Sequence, residues 1–164
     1  MFDWVMLFFD ICRLQKGPQD IPYSPSFYYG TILAYSIVGF LLIYIDSDWL
    51  DASLQILAGI GSIVVFTKAL LWLDGKPERF TQTAAALFGT DALISFLALP
   101  ALTGMVAGGV SLLAFCAMIF LMIWHWLAIG HIMRHALSES LSFGLGVSFL
   151  YLAASYWLMN LLFA

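Results

Sequence analysis

One acidic residue, Asp91, lies within an apolar run of the sequence, and Thr90 precedes it. A carboxylate inside a membrane-spanning helix costs about 3 kcal/mol or more unless it is paired, protonated or turned toward a polar interior. Such groups act as proton relays, as ion ligands or as hydrogen-bonding links between helices. The sequence therefore predicts an intramembrane polar site at Asp91 and Thr90, with a transport role and a purely structural role both open.

Three histidines near the end of another apolar run are the next candidates for chemistry. His131 and His135 are four residues apart, so they share one helix face, as two metal ligands on one helix would. His125 lies six residues before His131, points away from that face, and has no cysteine or glutamate at ligand spacing nearby. The flanking tryptophans and Arg134 are typical of a membrane interface. We therefore predict no metal site and assign His131, Arg134 and His135 to contact with lipid headgroups or a partner.

A short charged loop, residues 74–79, separates two apolar runs. It contains Asp74, Lys76, Glu78 and Arg79. Such a loop is either a solvated connection or a docking site on the cytoplasmic side. If a partner binds there, Lys76 and Arg79 are the residues we expect it to contact.

The composition indicates an integral membrane protein. Hydrophobic residues make up 63% of the 164 residues and charged residues 10%, and the mean hydropathy is +0.97. The net charge of −4 includes no basic block, which argues against nucleic-acid binding. No catalytic triad order, zinc-protease helix, nucleotide-binding glycine loop or paired-carboxylate set is present. We predict a protein that is not an enzyme and that needs no cofactor.

The apolar runs predict an all-α membrane protein, a bundle of five transmembrane helices. The runs are 17 to 29 residues long, and a crossing helix needs about 20. Pro100 is expected to end the third helix. The predicted spans are Phe27 to Ile45, Ser53 to Leu73, Thr83 to Leu99, Met105 to Met133 and Leu141 to Phe163.

The stretch from Met1 to Gln15 is too short to cross a bilayer. Its polar residues, with Lys16, fall on one side of a helix, which predicts a short amphipathic helix in the membrane interface. A re-entrant helix or a helix docked on the bundle would have the same pattern. Three prolines in the following segment make it a linker. The chain thus divides into residues 1–26, the interfacial helix and its linker, and residues 27–164, the transmembrane domain.

Glycines within the spans are predicted to allow close packing of helices. The contacts they form are expected within the chain, with other integral membrane proteins or with a second copy. These residues are Gly59, Gly61, Gly108, Gly109, Gly144 and Gly146.

The basic residues predict the orientation in the membrane. All six lysines and arginines fall on the side shared by the N-terminus and the second and fourth loops. The positive-inside rule therefore gives a cytoplasmic N-terminus and a periplasmic C-terminus.

Residues 75–100 resemble a segment of bacterial Yip-type proteins, five-span membrane proteins with a cytoplasmic N-terminus. The likeness extends from about Phe27 to Phe163 and rests on a Gly-Lys start, an aromatic-x-Gln element and a closing Leu-Pro. These elements are Gly75 and Lys76, Phe80 and Gln82, and Leu99 and Pro100. Eukaryotic members of this family bind Ypt/Rab-type GTPases in vesicle traffic.

The resemblance implies a five-span fold in a bacterial inner membrane more than an activity, and it assigns no active residues. From it, and from the absence of catalytic motifs, we expect a non-catalytic accessory or scaffold subunit that contacts lipids and other membrane proteins. The alternative is a small oligomeric transporter or proton-coupled carrier that uses Asp91.

Overall fold

The computed structural model describes residues 2–163, and within them the secondary structure is helical throughout, with no β-strand. Short 3₁₀ turns lie at Pro18–Asp20 and Pro77–Arg79. The α-helices are α1 (Phe2–Cys12), α2 (Pro25–Tyr44), α3 (Trp49–Leu73), α4 (Phe80–Gly108), α5 (Leu112–Leu137) and α6 (Leu141–Phe163). The predicted all-α bundle is confirmed.

Five of these helices, α2 to α6, are long and apolar enough to cross a membrane. They range from 20 residues in α2 to 29 in α4, against the roughly 20 that a bilayer requires. The chain is therefore a multi-pass membrane protein.

Helix α4 is the central element of the bundle. It packs on α2 and α5 over long stretches and also contacts α1 and α3. Residues 83–92 are all buried, and half of them are alanine or glycine, which allows neighbouring helices to approach closely. Asp91 lies inside this enclosed stretch.

Pro100 does not end a helix, contrary to the prediction from the sequence. Helix α4 continues through it to Gly108, and the chain turns at Gly109, whose φ of 82° is available to glycine at little cost. Proline removes the helical hydrogen bond to the Phe96 carbonyl. Membrane helices tolerate this loss because neighbouring groups and small backbone adjustments compensate for it.

Helix α1 is docked on α4 and α5. Its buried face consists of Leu7, Phe8, Ile11 and Cys12. The Phe8 ring fills the space that a side chain at Gly89 would need. This is the docked arrangement that the sequence left open, whereas the depth of α1 relative to a membrane interface stays a prediction.

The predicted packing glycines fall into two groups. A side chain at Gly59 would collide with the Tyr35 hydroxyl, and one at Gly144 would collide with the backbone of α5. The other four have no described atom within 4 Å of an added Cβ, so within residues 2–163 they do not mediate helix packing. These are Gly61, Gly108, Gly109 and Gly146.

Candidate functional site

The structure brings together Asp91 of α4 and His125 of α5. His125 Nε2 lies 2.7 Å from Asp91 Oδ1. Asp91 is 9% exposed, and the His125 side chain is 26% exposed. Asp91 lies about three helical turns after the start of α4, and His125 lies about three turns before the end of α5. At about 1.5 Å per residue both lie about 17 Å from the same end of the bundle, which is about half the thickness of a hydrocarbon core of about 30 Å.

Two titratable side chains at this distance can share one proton or form an ion pair. Both forms contain a charge-assisted or strong hydrogen bond, and the low dielectric of the surroundings strengthens it. A proton that arrives on the pair changes the net charge at this depth. The arrangement can therefore chemically bind and release a proton within the bundle.

Helix α1 covers one side of this region. The indole of Trp124, the residue before His125, donates a 2.7 Å hydrogen bond from Nε1 to the Cys12 carbonyl. Burial, with a smaller contribution from the Asp91 charge, raises the pKa of the Cys12 thiol to about 12. Cys12 is therefore a neutral, unreactive thiol at physiological pH.

Thr90 is fully buried beside this site and next to the Cys12 thiol, and its hydroxyl has no well-formed hydrogen bond among the described residues. The predicted site residues Asp91 and Thr90 therefore lie in the same enclosed part of α4. Of the two, Asp91 is the one with a side-chain partner in the part of the chain that the structure describes.

His131 is not a surface residue, which corrects its assignment to lipid or partner contact. It is 3% exposed, and its Nε2 lies 3.0 Å from the Lys16 carbonyl, because the segment after α1 folds over it. His131 and His135 do share a face, with ring centroids 4.6 Å apart. His135 and Arg134 are partly exposed.

The loop cations Lys76 and Arg79 bind the carboxyl end of α5. The Lys76 ammonium donates to the Leu137 carbonyl. Arg79 Nη1 donates to the Ala136 carbonyl at 2.9 Å and to Ser138 Oγ at 2.7 Å. These cations satisfy terminal carbonyls and offset the negative end of the helix dipole. Their donors are thus engaged inside the chain, which the sequence did not predict.

Four basic residues, Lys16, Lys76, Arg79 and Arg134, mark one end of the bundle, here called the basic end. Lys16 also forms a 3.0 Å ion pair with Asp10, and Lys76 forms a 2.8 Å ion pair with Asp74. The contacts of α4, α5 and the segment after α1 all converge here.

His125 is the site residue that the sequence did not identify. Its two tryptophan neighbours suggested a membrane interface, but the structure places it opposite Asp91.

The chain matches no protein family, no curated protein and no solved structure. The interpretation of the site therefore rests on its geometry.

Proposed function

We propose that this chain is a proton-handling membrane protein, of the proton-coupled carrier type, in which Asp91 and His125 bind and release a proton inside the bilayer. The observation that carries the proposal is the 2.7 Å contact between two titratable side chains at mid-depth. Ionisable residues within spans line proton relays and coupling sites in pumps and transporters.

A titratable pair is not needed merely to hold α4 and α5 together. Burying two charged groups costs desolvation energy, and well-packed apolar residues hold two helices together at least as well. Protonation of Asp91 removes the negative charge that faces His125. The attraction between α4 and α5 then falls at this level, so that proton binding can be coupled to movement of one helix against the other.

Proton flux into liposomes that contain the purified chain tests this proposal. A pH-sensitive dye inside the vesicles reports influx driven by a potassium diffusion potential. We expect the unaltered chain to raise the flux above that of protein-free vesicles. Asp91→Asn should lower the protein-dependent flux by about tenfold or more, because an amide cannot accept the proton.

Asp46→Asn is the matched control, because it removes an exposed carboxylate between α2 and α3 by the same chemical change. It should leave the flux unaltered. A chain that adds no flux to that of protein-free vesicles, or a flux that Asp91→Asn leaves intact, would contradict proton handling at this pair.

A second candidate is the Yip-like accessory or scaffold subunit. It is favoured by the open space at Gly61 on α3 and Gly146 on α6, where a helix of another membrane protein could pack closely. Purification from native membranes in mild detergent separates the candidates. A partner recovered at fixed stoichiometry supports the accessory role, whereas recovery alone or as a homo-oligomer supports the carrier.

We place the protein in a bacterial inner membrane, with the N-terminus in the cytoplasm. Support comes from the basic end, since positive charges collect on the cytoplasmic side of inner-membrane proteins. Helix α6 begins near that end, so the C-terminus should be periplasmic. Alkaline phosphatase fused after residue 164 should be active, and a fusion active only as a cytoplasmic reporter would reverse this orientation.

A further inference from the structure

Some buried polar atoms of the bundle lack hydrogen-bond partners. Several other hydroxyls donate to a carbonyl of the preceding turn, as Thr31 does to Tyr28 at 2.8 Å. An unsatisfied buried group costs about 1 to 3 kcal/mol and commonly marks ordered water or a functional role. Within residues 2–163 the unpartnered atoms are Thr67 Oγ1, Thr83 Oγ1, Thr90 Oγ1 and His131 Nδ1.

Three of these four atoms belong to α4 and α5. Thr83 and Thr90 are seven residues apart, so they lie on one face of α4 about 10 Å apart along its axis. His131 lies on α5, which packs against α4. The fourth atom belongs to Thr67 of α3.

The hydrogen bond of His131 determines which ring nitrogen is free. A carbonyl oxygen only accepts, so the 3.0 Å contact with Lys16 requires the hydrogen of the neutral ring to be on Nε2. Nδ1 then carries an unshared electron pair inside the bundle, without a partner among the described residues. It is a proton acceptor in a buried position.

A pocket of about 280 Å³ lies at the basic end, and the described residues that line it include His135 but not His131. Thr83 and His135 line it, and the His135 ring contacts the His131 ring with centroids 4.6 Å apart. Water in this pocket therefore meets His135, the immediate neighbour of His131.

We infer that His131 relays protons between this pocket and the Asp91–His125 pair. The inference rests on the proposed function of that pair. A hydronium ion in the pocket gives up a proton and leaves as water; the proton passes His135 through ordered water to Nδ1, whose electron pair forms the new N–H bond. The ring, now an imidazolium, passes the Nδ1 proton through ordered water to the Asp91 carboxylate, and neutral His131 is restored with its Nε2 hydrogen in place.

The distance along α5 suits a short chain of water molecules. His125 and His131 are six residues apart, about 9 Å along the helix axis. The Thr90 hydroxyl, adjacent to Asp91 on α4 and beside the Cys12 thiol, is the polar group at the Asp91 end of this interval.

The charges around His131 favour brief protonation over storage of the proton. Its own helix carries Arg134 and His135, and α4 is preceded by Arg79, which lines the nearby pocket. The Lys16 ammonium is paired with Asp10. The negative charge of Asp20, in the first 3₁₀ turn, acts on His135. The positive charges of Arg134 and Arg79 disfavour a stored proton on His131, so the proton moves on.

Rapid-mixing infrared spectroscopy of the full chain in lipid nanodiscs tests the relay. The carboxyl band missing in Asp91→Asn identifies Asp91, and mixing with D₂O measures how fast its hydrogen exchanges. His131→Gln keeps a donor for the Lys16 carbonyl but has no basic nitrogen. We expect it to slow the exchange by about tenfold or more without moving the titration midpoint of the Asp91 band.

Thr90→Val should also slow the exchange, and it provides a second test if His131→Gln does not fold. Thr67→Val is the control, because it removes an equally buried and unpartnered hydroxyl from α3. Unchanged exchange in both His131→Gln and Thr90→Val would overturn the relay while leaving the proposed function intact. An Asp91 band that does not titrate at all would instead overturn the proposed function.

Discussion

Asp91→Ala is expected to lower the free energy of unfolding in lipid bicelles by about 3 kcal/mol. The substitution leaves the partly buried His125 without its one acceptor among the described residues, and a polar group that loses its partner in such a position bears much of its desolvation cost. Steric trapping, in which binding of a bulky probe captures the unfolded state, measures this difference without SDS.

A double-mutant cycle separates the contact from the rest of each side chain. If the pair interacts as the structure indicates, Asp91→Ala together with His125→Ala should cost less than the two single changes combined, by about 1 to 3 kcal/mol. Asp46→Ala, at an exposed position, should change the stability by less than about 0.5 kcal/mol. Strictly additive effects would show that the contact carries no coupling energy.

Gly144→Ala is expected to destabilise the packing of α5 against α6 by about 2 kcal/mol. An added Cβ would meet the Gly130 carbonyl and come within 2.9 Å of the Arg134 amide nitrogen. Both are backbone atoms, so the helices must separate to accommodate the methyl group. The same steric-trapping assay measures the effect.

Gly146→Ala on the same helix provides the matched control. Its added Cβ meets no described atom within 4 Å, and alanine favours helix over glycine by up to about 1 kcal/mol. We therefore expect effects of opposite sign at two positions only two residues apart. A Gly144→Ala chain as stable as Gly146→Ala would refute the close approach of α5 and α6 at this point.

The helical membrane fold could be predicted because the lengths of the apolar runs are set by bilayer thickness. The sequence did not predict that α4 continues through Pro100 to Gly108. The rule that proline ends a helix applies where a lost hydrogen bond and a ring clash are not compensated, and a packed membrane bundle compensates for them.

This boundary also explains why the partner of Asp91 was missed. With spans ending at Leu99 and beginning at Met105, Asp91 would lie about two helical turns before the loop and His125 between five and six turns after it. That difference of about 18 Å along the helix axes would prevent contact. In the structure Asp91 lies between four and five turns before Gly108, and His125 between three and four turns after Leu112. The two side chains are therefore at similar depth.

The glycines illustrate the same limit. Small residues permit close approach, but sequence spacing does not indicate which of them another helix meets. Gly144 lies against the α5 backbone, whereas Gly146 faces away from it. The orientation of α6 about its own axis decides this, and that orientation depends on contacts along the whole helix.

Because α4 continues through Pro100, its two parts differ in how firmly neighbouring helices hold them. Its inner part, residues 83–92, is clamped by neighbours on every side, while residues 106–108, beyond the proline, are exposed. A helix that lacks the hydrogen bond to the Phe96 carbonyl bends most easily at that turn. We therefore expect α4 to bend at Pro100. A displacement of residues 106–108 would then move the start of α5, while the buried segment around Asp91 keeps its position.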